Sequence, residues 1–284
     1  MILRTVENVL KNVYLGVLSN EIRTRTSPFF SKILTTLKDV WGKEILFTSI
    51  EENYKTYQTP LITLSYSFDI TDKTMRACEN NTVALTKFLN TELENFCLNI
   101  KKDINKQLLG DGKEEDTLLG LAYLFNNKND LYGTKRDSEK DKAVIINCSE
   151  EELLNSILTT LDEKENDLIL CNSATKRIIT DQMLKQGRSI KVIEIENGFK
   201  GIDLEGCPLV HERLIKDGEV VLLNTRDFEL KQLCDWSWLE NTSGDILFPY
   251  YDKPVYRVSL VKYCQLICKN LSNQVKITFS SKKL

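Results

Sequence analysis

The chain has 284 residues, 42% hydrophobic and 28% charged, the balance of a soluble globular protein with room for one large domain or two small ones. A net charge of −3 and a pI near 5.5 exclude a broad electrostatic grip on nucleic acid, which needs a basic stripe or patch. No apolar run approaches the ~20 residues that span a bilayer, and "MILRTVENVLKNVYLG" lacks the apolar core and cleavage site of a signal peptide, so a cytosolic product is expected.

Val6, Val9, Leu10, Val13, Leu15 and Leu18 recur at near-helical spacing and predict a helix over 3–24. Pro28 breaks it, because proline disfavours helix in the residue before it. Past Gly42, "KEILFTSI" brings β-formers. Residues 52–68 then alternate, with Ile62, Leu64, Tyr66 and Phe68 on one side and Leu61, Thr63, Ser65 and Ser67 on the other. This reads as a two-stranded excursion with Pro60 near an edge, too poor in apolar surface to make its own core.

Residues 72–109 contain no Gly and no Pro, with Thr71 or Asp72 as the N-cap. Leu85, Leu89, Leu93, Phe96, Ile100, Ile104 and Leu108 form one apolar stripe. A single helix over that range would be ~57 Å long, which is a spine rather than a packing element. Gly110 and Gly112 stand where a C-cap needs tolerance of positive φ. "TLLGLAYLF" (117–125) is a short apolar element, followed by a polar loop over 126–142.

From 143 the pattern changes to an α/β unit that runs to about 225. Strands are expected in "KAVIIN", "NDLILCNS", "SIKVIEI" and "EVVLLN". One helix opens on a capping box of Ser149 and Glu152, and another, from Ser173, closes at Gly187. The final segment, from "VYRVSLVKYCQLICKN" to "QVKITF", is strand-rich.

The chemical motifs fail one by one. "GDGK" at 110–113 suggests a phosphate loop, but Gln107 and Glu114 break GxxxxGK[ST], and it follows a helix instead of a strand. It does not place acids as a calcium loop does either. "NGFKGIDLEG" (197–206) reads as a β-turn region. Glu151 with Glu152, and Asp162 with Glu163, fall on solvated helix faces, whereas acid–base work needs buried, converging carboxylates.

His211 is the one histidine, expected at an edge or turn, so a triad would have to use it and a multi-histidine metal site is excluded. Eight scattered cysteines without a CxxC pair read as reduced, buried small hydrophobes. Trp236, Trp238, Phe248, Tyr250 and Tyr251 read as packing or a subunit contact, since few basic residues accompany them. No catalytic, cofactor-binding or metal-binding residue is assigned, and no cofactor is expected.

The order of elements, together with "VENVLKNVYLGVLSNEIRTRTSPFFSKI", "NKQLLGDG", "DLYGTKR", "NDLILCNSATKRIITDQM", "GIDLEGCPLVHER" and "VVLLNTRDFELKQLCDWSWLENTSGDIL", resembles the major capsid proteins of tailed bacteriophages, the Hong Kong 97-type fold. The resemblance covers most of the chain and rests on the ordered set, no single piece being a signature. It implies an α+β fold: an N-terminal arm over 1–43, an extended β loop over 44–70, a peripheral domain with the spine helix over 71–136, an axial α/β domain over 137–228 and a return to the peripheral domain over 229–284.

It also implies no enzymatic activity. The expected role is a virion shell subunit assembled in the bacterial cytoplasm as pentamers and hexamers around double-stranded DNA. Implied partners are copies of the chain, a portal, decoration proteins and a separate scaffolding protein, since the fold begins almost at Met1 and leaves no room for a scaffolding extension. Some members of the family cross-link lysine to asparagine between subunits. Lys55 and Asn241 are the positions to compare, but nothing local marks an acid-assisted pair. Mild acidity suits a shell that does not grip its DNA. The alternatives are an encapsulin-like nanocompartment subunit and a cytosolic α/β enzyme.

Overall fold

The apolar stripe over 85–108 organises the molecule, because all seven of its side chains are buried in one core. The computed structural model describes residues 2–37, 40–41, 44–48, 56–77 and 81–280.

Helices α1 (Ile2–Val9) and α2 (Leu15–Arg25) are joined by a π-helical turn, Leu10–Tyr14. Val6, Leu10, Leu18 and Ile22 are buried, at spacings of four, eight and four. The wider π turn keeps this four-residue spacing on one face, where a regular helix would rotate it away. Pro28 does more than end the helix: it sits in the first turn of α3 (Pro28–Lys32), with the Ser27 Oγ accepting from the Phe30 N–H at 3.2 Å.

Strands β1 (Leu34–Leu37), β2 (Val40–Trp41), β3 (Glu44–Thr48), β4 (Thr56–Pro60) and β5 (Ile62–Thr71) follow. Strands β2, β3 and β4 form a small antiparallel sheet. The expected extended loop over 44–70 is corrected here. Its second half, β5, runs antiparallel to a long C-terminal strand over ten residue pairs and buries Ile62, Leu64 and Ile70 in the chain's own core. Only the β2–β3–β4 sheet, reaching to Pro60, stands outside that register.

The single 72–109 helix is also corrected. It is two helices, α4 (Asp72–Ala77) and α5 (Thr82–Leu109). The Thr71 hydroxyl caps the first, accepting from the Thr74 N–H at 3.2 Å, and the Asn81 side chain caps the second, accepting from the Ala84 N–H at 3.0 Å. Asparagine side chains compete for helical N–H groups and so restart a helix where no Gly or Pro breaks it. Among the described residues Met75 is buried and the next buried apolar position is Leu85. With 28 residues, α5 is about 42 Å long.

After α6 (Leu121–Leu124) come β6 (Val144–Ser149), α7 (Leu153–Glu163), β7 (Leu168–Cys171), α8 (Ser173–Lys185), β8 (Val192–Glu194), β9 (Lys200–Leu204), β10 (Cys207–His211) and β11 (Glu219–Leu223). The chain ends with β12 (Phe228–Gln232), β13 (Ser237–Trp238), β14 (Phe248–Pro249), β15 (Val255–Cys268) and β16 (Val275–Ser280).

Among the described residues β15 is the hub of a six-stranded sheet, pairing with β5, β12, β13 and β14, while β1 lies parallel to β12. A second, seven-stranded sheet runs β6–β16–β11–β7–β10–β9–β8 and has its own core, with α7 and α8 packed on it. The division at 228/229 therefore fails at the C-terminus, because β16 lies between β6 and β11. The expected turn region 197–206 contains strand β9, flanked by two tight turns whose residues have positive φ: Asn197–Gly198 and Glu205–Gly206.

Candidate assembly surface

The N-terminal helices pack on their own chain. Glu7 accepts the main-chain N–H groups of Ile246 and Leu247 at 3.0 and 3.3 Å, and Lys11 pairs with Glu240 at 2.9 Å. The Trp238 indole donates to the Leu10 carbonyl at 3.1 Å, and Ser19 donates to Asp235 at 3.0 Å. Trp238 stacks on Phe96 of α5 with ring centroids 6.5 Å apart. Of the five aromatics grouped in the sequence, Trp236 and Trp238 are therefore packing, whereas Tyr250 and Tyr251 are exposed.

Between α2 and α5 a groove of about 480 Å³ is lined by Val17, Leu18, Leu93, Cys97 and Leu98 among others, with Glu21 and Lys101 beside them. Val17 and Leu98 are exposed there. Glu21 pairs with Lys101, and the hydrogen bond from Lys101 holds its carboxyl below the usual 4.5. A depressed folded pKa gives stability that is present above the unfolded value and lost as pH falls through the folded one. Hydrogen exchange over 15–25 is therefore expected to quicken as pH falls below about 4.5, after correction for intrinsic rates, and Glu21→Gln is expected to remove that pH step.

The β2–β3–β4 sheet is anchored at its base. Tyr57 of β4 is buried and donates from its hydroxyl to Asp141 at 2.7 Å, and burial pushes the phenol well above its ordinary pKa. Arg136 in turn fixes the loop that carries Asp141. Its guanidinium donates to the carbonyls of Asn129, Leu124, Asp141 and Tyr123 and to the Asn127 side chain at 2.8–3.3 Å. Burial lowers its pKa from the ordinary value. The sequence showed this region only as a polar loop of mixed charge. It is structured, with a turn at Tyr132–Gly133 where both residues have positive φ.

The residues screened for chemistry are dispersed. Lys113 pairs with Asp111 at 2.6 Å in an exposed loop. Gly110 is extended (φ −74°), so the left-handed position beyond the α5 C-terminus belongs to Gly112 (φ 61°). His211 ends β10 with its side chain exposed. Glu151, Glu152, Asp162 and Glu163 are exposed, Glu152 accepts from the Ser149 N–H and hydroxyl at 3.2 and 2.8 Å, and the helix begins at Leu153, after the expected start.

Cys97, Cys171, Cys207, Cys264 and Cys268 are buried, and Cys171, Cys207 and Cys264 have their thiols pushed up to about 12 by burial. Among the described residues no cluster of three or more His, Cys, Asp or Glu is placed to hold a metal, and no helix is long and apolar enough to cross a membrane. The side chain of Asn241 is engaged within its own turn, accepting from Ser243 and Asp245 main-chain N–H groups at 2.8 and 2.9 Å. Lys55 lies outside the described residues.

No protein-family model and no curated protein matches the sequence. Solved structures match along most of the chain. The capsid of an empty GTA particle gives a TM-score of 0.61 at 12% identity, covering 90% of each chain. The capsid of cyanophage A-1(L) gives 0.58 at 11% identity, over 94% of this chain and 92% of that one. The holo-SrpI encapsulin complex of Synechococcus elongatus gives 0.58 at 12% identity, over 92% of each. With its long helix α5, β15-centred sheet and separate seven-stranded unit, and these matches along nine-tenths of its length, the chain has the Hong Kong 97-type capsid fold.

Proposed function

We propose that the chain is the major capsid protein of a tailed phage or a related DNA-carrying particle. Pentamers and hexamers of it would form an icosahedral shell around double-stranded DNA. The observation that carries this reading is the likeness to capsid chains over about nine-tenths of both partners. In this reading the β2–β3–β4 sheet is the extended loop that lies over a neighbouring subunit. Helix α5 and the six-stranded sheet form the peripheral domain, and the seven-stranded unit is the axial domain. A portal, a separate scaffolding protein and decoration proteins complete the assembly, and the virion head is its location.

A second reading, a nanocompartment shell, is favoured by one observation: the encapsulin matches with the same TM-score as the cyanophage capsid. Negative-stain micrographs of the chain expressed with its neighbouring genes decide between them. Closed particles containing nuclease-protected DNA are the expected result. Particles filled with protein would favour the nanocompartment, and a monomer under every condition would overturn both.

A further inference from the structure

Among the described residues the chain passes between its two sheets three times: into β6, from β11 to β12 and from β15 to β16. All three passages meet at Gln274, which is fully buried. Its side-chain amide donates to the Asp227 carboxylate and to the Asn270 carbonyl, each at 3.0 Å, and its side-chain oxygen accepts from the Asn224 N–H at 3.0 Å. Its main-chain carbonyl accepts from the N–H of Val144, the first residue of β6, at 3.0 Å. Asp227 accepts a further bond from the Asn273 side chain at 3.1 Å, and its main-chain carbonyl accepts from the Lys269 N–H at 2.8 Å.

The turn before β7 adds to this cluster. Asn166 donates to the Asn273 carbonyl at 2.9 Å, and Asp167 accepts from the Thr225 N–H and hydroxyl at 2.8 and 2.6 Å. Lys32 of α3 donates to the Asp167 carbonyl at 2.9 Å. The seven-stranded sheet also makes apolar contact here, since Leu168, Leu170, Val210, Val221 and Leu223 share the core of the α5 stripe. Apolar contact has no direction, and packed surfaces slide on it in small shear steps. A hydrogen bond weakens steeply once its angle falls below about 120°, so a cluster of them tolerates little rotation. Buried networks with every member satisfied specify one arrangement.

We propose that Gln274 and Asp227 are positioning residues, the centre of a polar joint that holds the two sheets at one mutual angle. The joint lies inside one copy, beyond what the shell reading assigns. Within a shell it limits how far each copy flexes between neighbours.

Angle and stability are separable by experiment. Paramagnetic labels on genetically encoded side chains at Asn95 of α5 and Thr159 of α7, both exposed, report the separation of the two units in chains diluted among unlabelled copies. Gln274→Met fills similar volume and makes none of the side-chain bonds, so it is expected to broaden that distance distribution by about twofold or more. Asn273→Ala removes one donor to Asp227 and is expected to broaden it less, in a chain that folds even where Gln274→Met does not. Ile157→Val trims the second core instead, and is expected to lower the melting midpoint with the distribution as narrow as in the unaltered chain. Unchanged distributions in the folded joint variants, or equal broadening in Ile157→Val, would overturn the joint. The readout does not depend on assembly, so such a failure leaves the shell reading where it stands.

Discussion

Gly120→Ala is expected to destabilise the chain by about 3 kcal/mol or more, measured as a fall in urea midpoint at unchanged slope. The backbone at Gly120 is extended (φ −80°, ψ −171°), so alanine meets no conformational penalty there. The obstacle is space. A Cβ would lie 2.3 Å from the Gln107 carbonyl oxygen, 2.6 Å from that of Leu108 and 2.7 Å from that of Gly110. All three are backbone atoms at the C-terminus of α5 and cannot rotate away. To admit the methyl group, the segment carrying Gly120 must withdraw, pulling Leu118 and Leu121 out of the core and breaking the Leu118 N–H bond to the Gln107 side chain. Gly16 is the contrast. It lies within α2 with nothing near a built Cβ, so Gly16→Ala is expected to stabilise by up to ~1 kcal/mol through helix propensity alone.

Arg136→Met is the second large effect. The methionine fills similar volume but donates nothing, leaving the carbonyls of Leu124 and Asp141, among other acceptors, without the guanidinium in a buried setting. One orphaned buried acceptor costs roughly 1–3 kcal/mol, so a total of about 3 kcal/mol or more is expected. The loss should spread beyond the loop. Asp141 is the acceptor for Tyr57, so hydrogen exchange over 56–60 is expected to rise further than over the seven-stranded sheet. Equal loosening of both regions would show that Arg136 stabilises the fold without anchoring the projecting sheet.

Much of this fold was legible because periodicity reports burial directly. The α5 stripe, the alternation at Ile62–Phe68 and the run of α8 from Ser173 to its close at Gly187 follow from side-chain spacing and turn chemistry. The misreadings share one cause. That β5 belongs to the main sheet and that β16 returns to the seven-stranded sheet are long-range pairings. A strand's sequence records that one face is covered, and is silent on which strand covers it. The break between α4 and α5 was within reach, since the Asn80–Asn81 pair marks it.

By itself, then, the sequence determined the buried faces of the local elements and several of their ends, because these depend on neighbours within a few residues. The tertiary structure alone decided that Gly120 meets a helix end, that Arg136 and Tyr57 converge on Asp141, and that β16 returns to lie between β6 and β11. Each of these joins residues far apart in the chain, and only the packing of the two sheets brings them within contact distance.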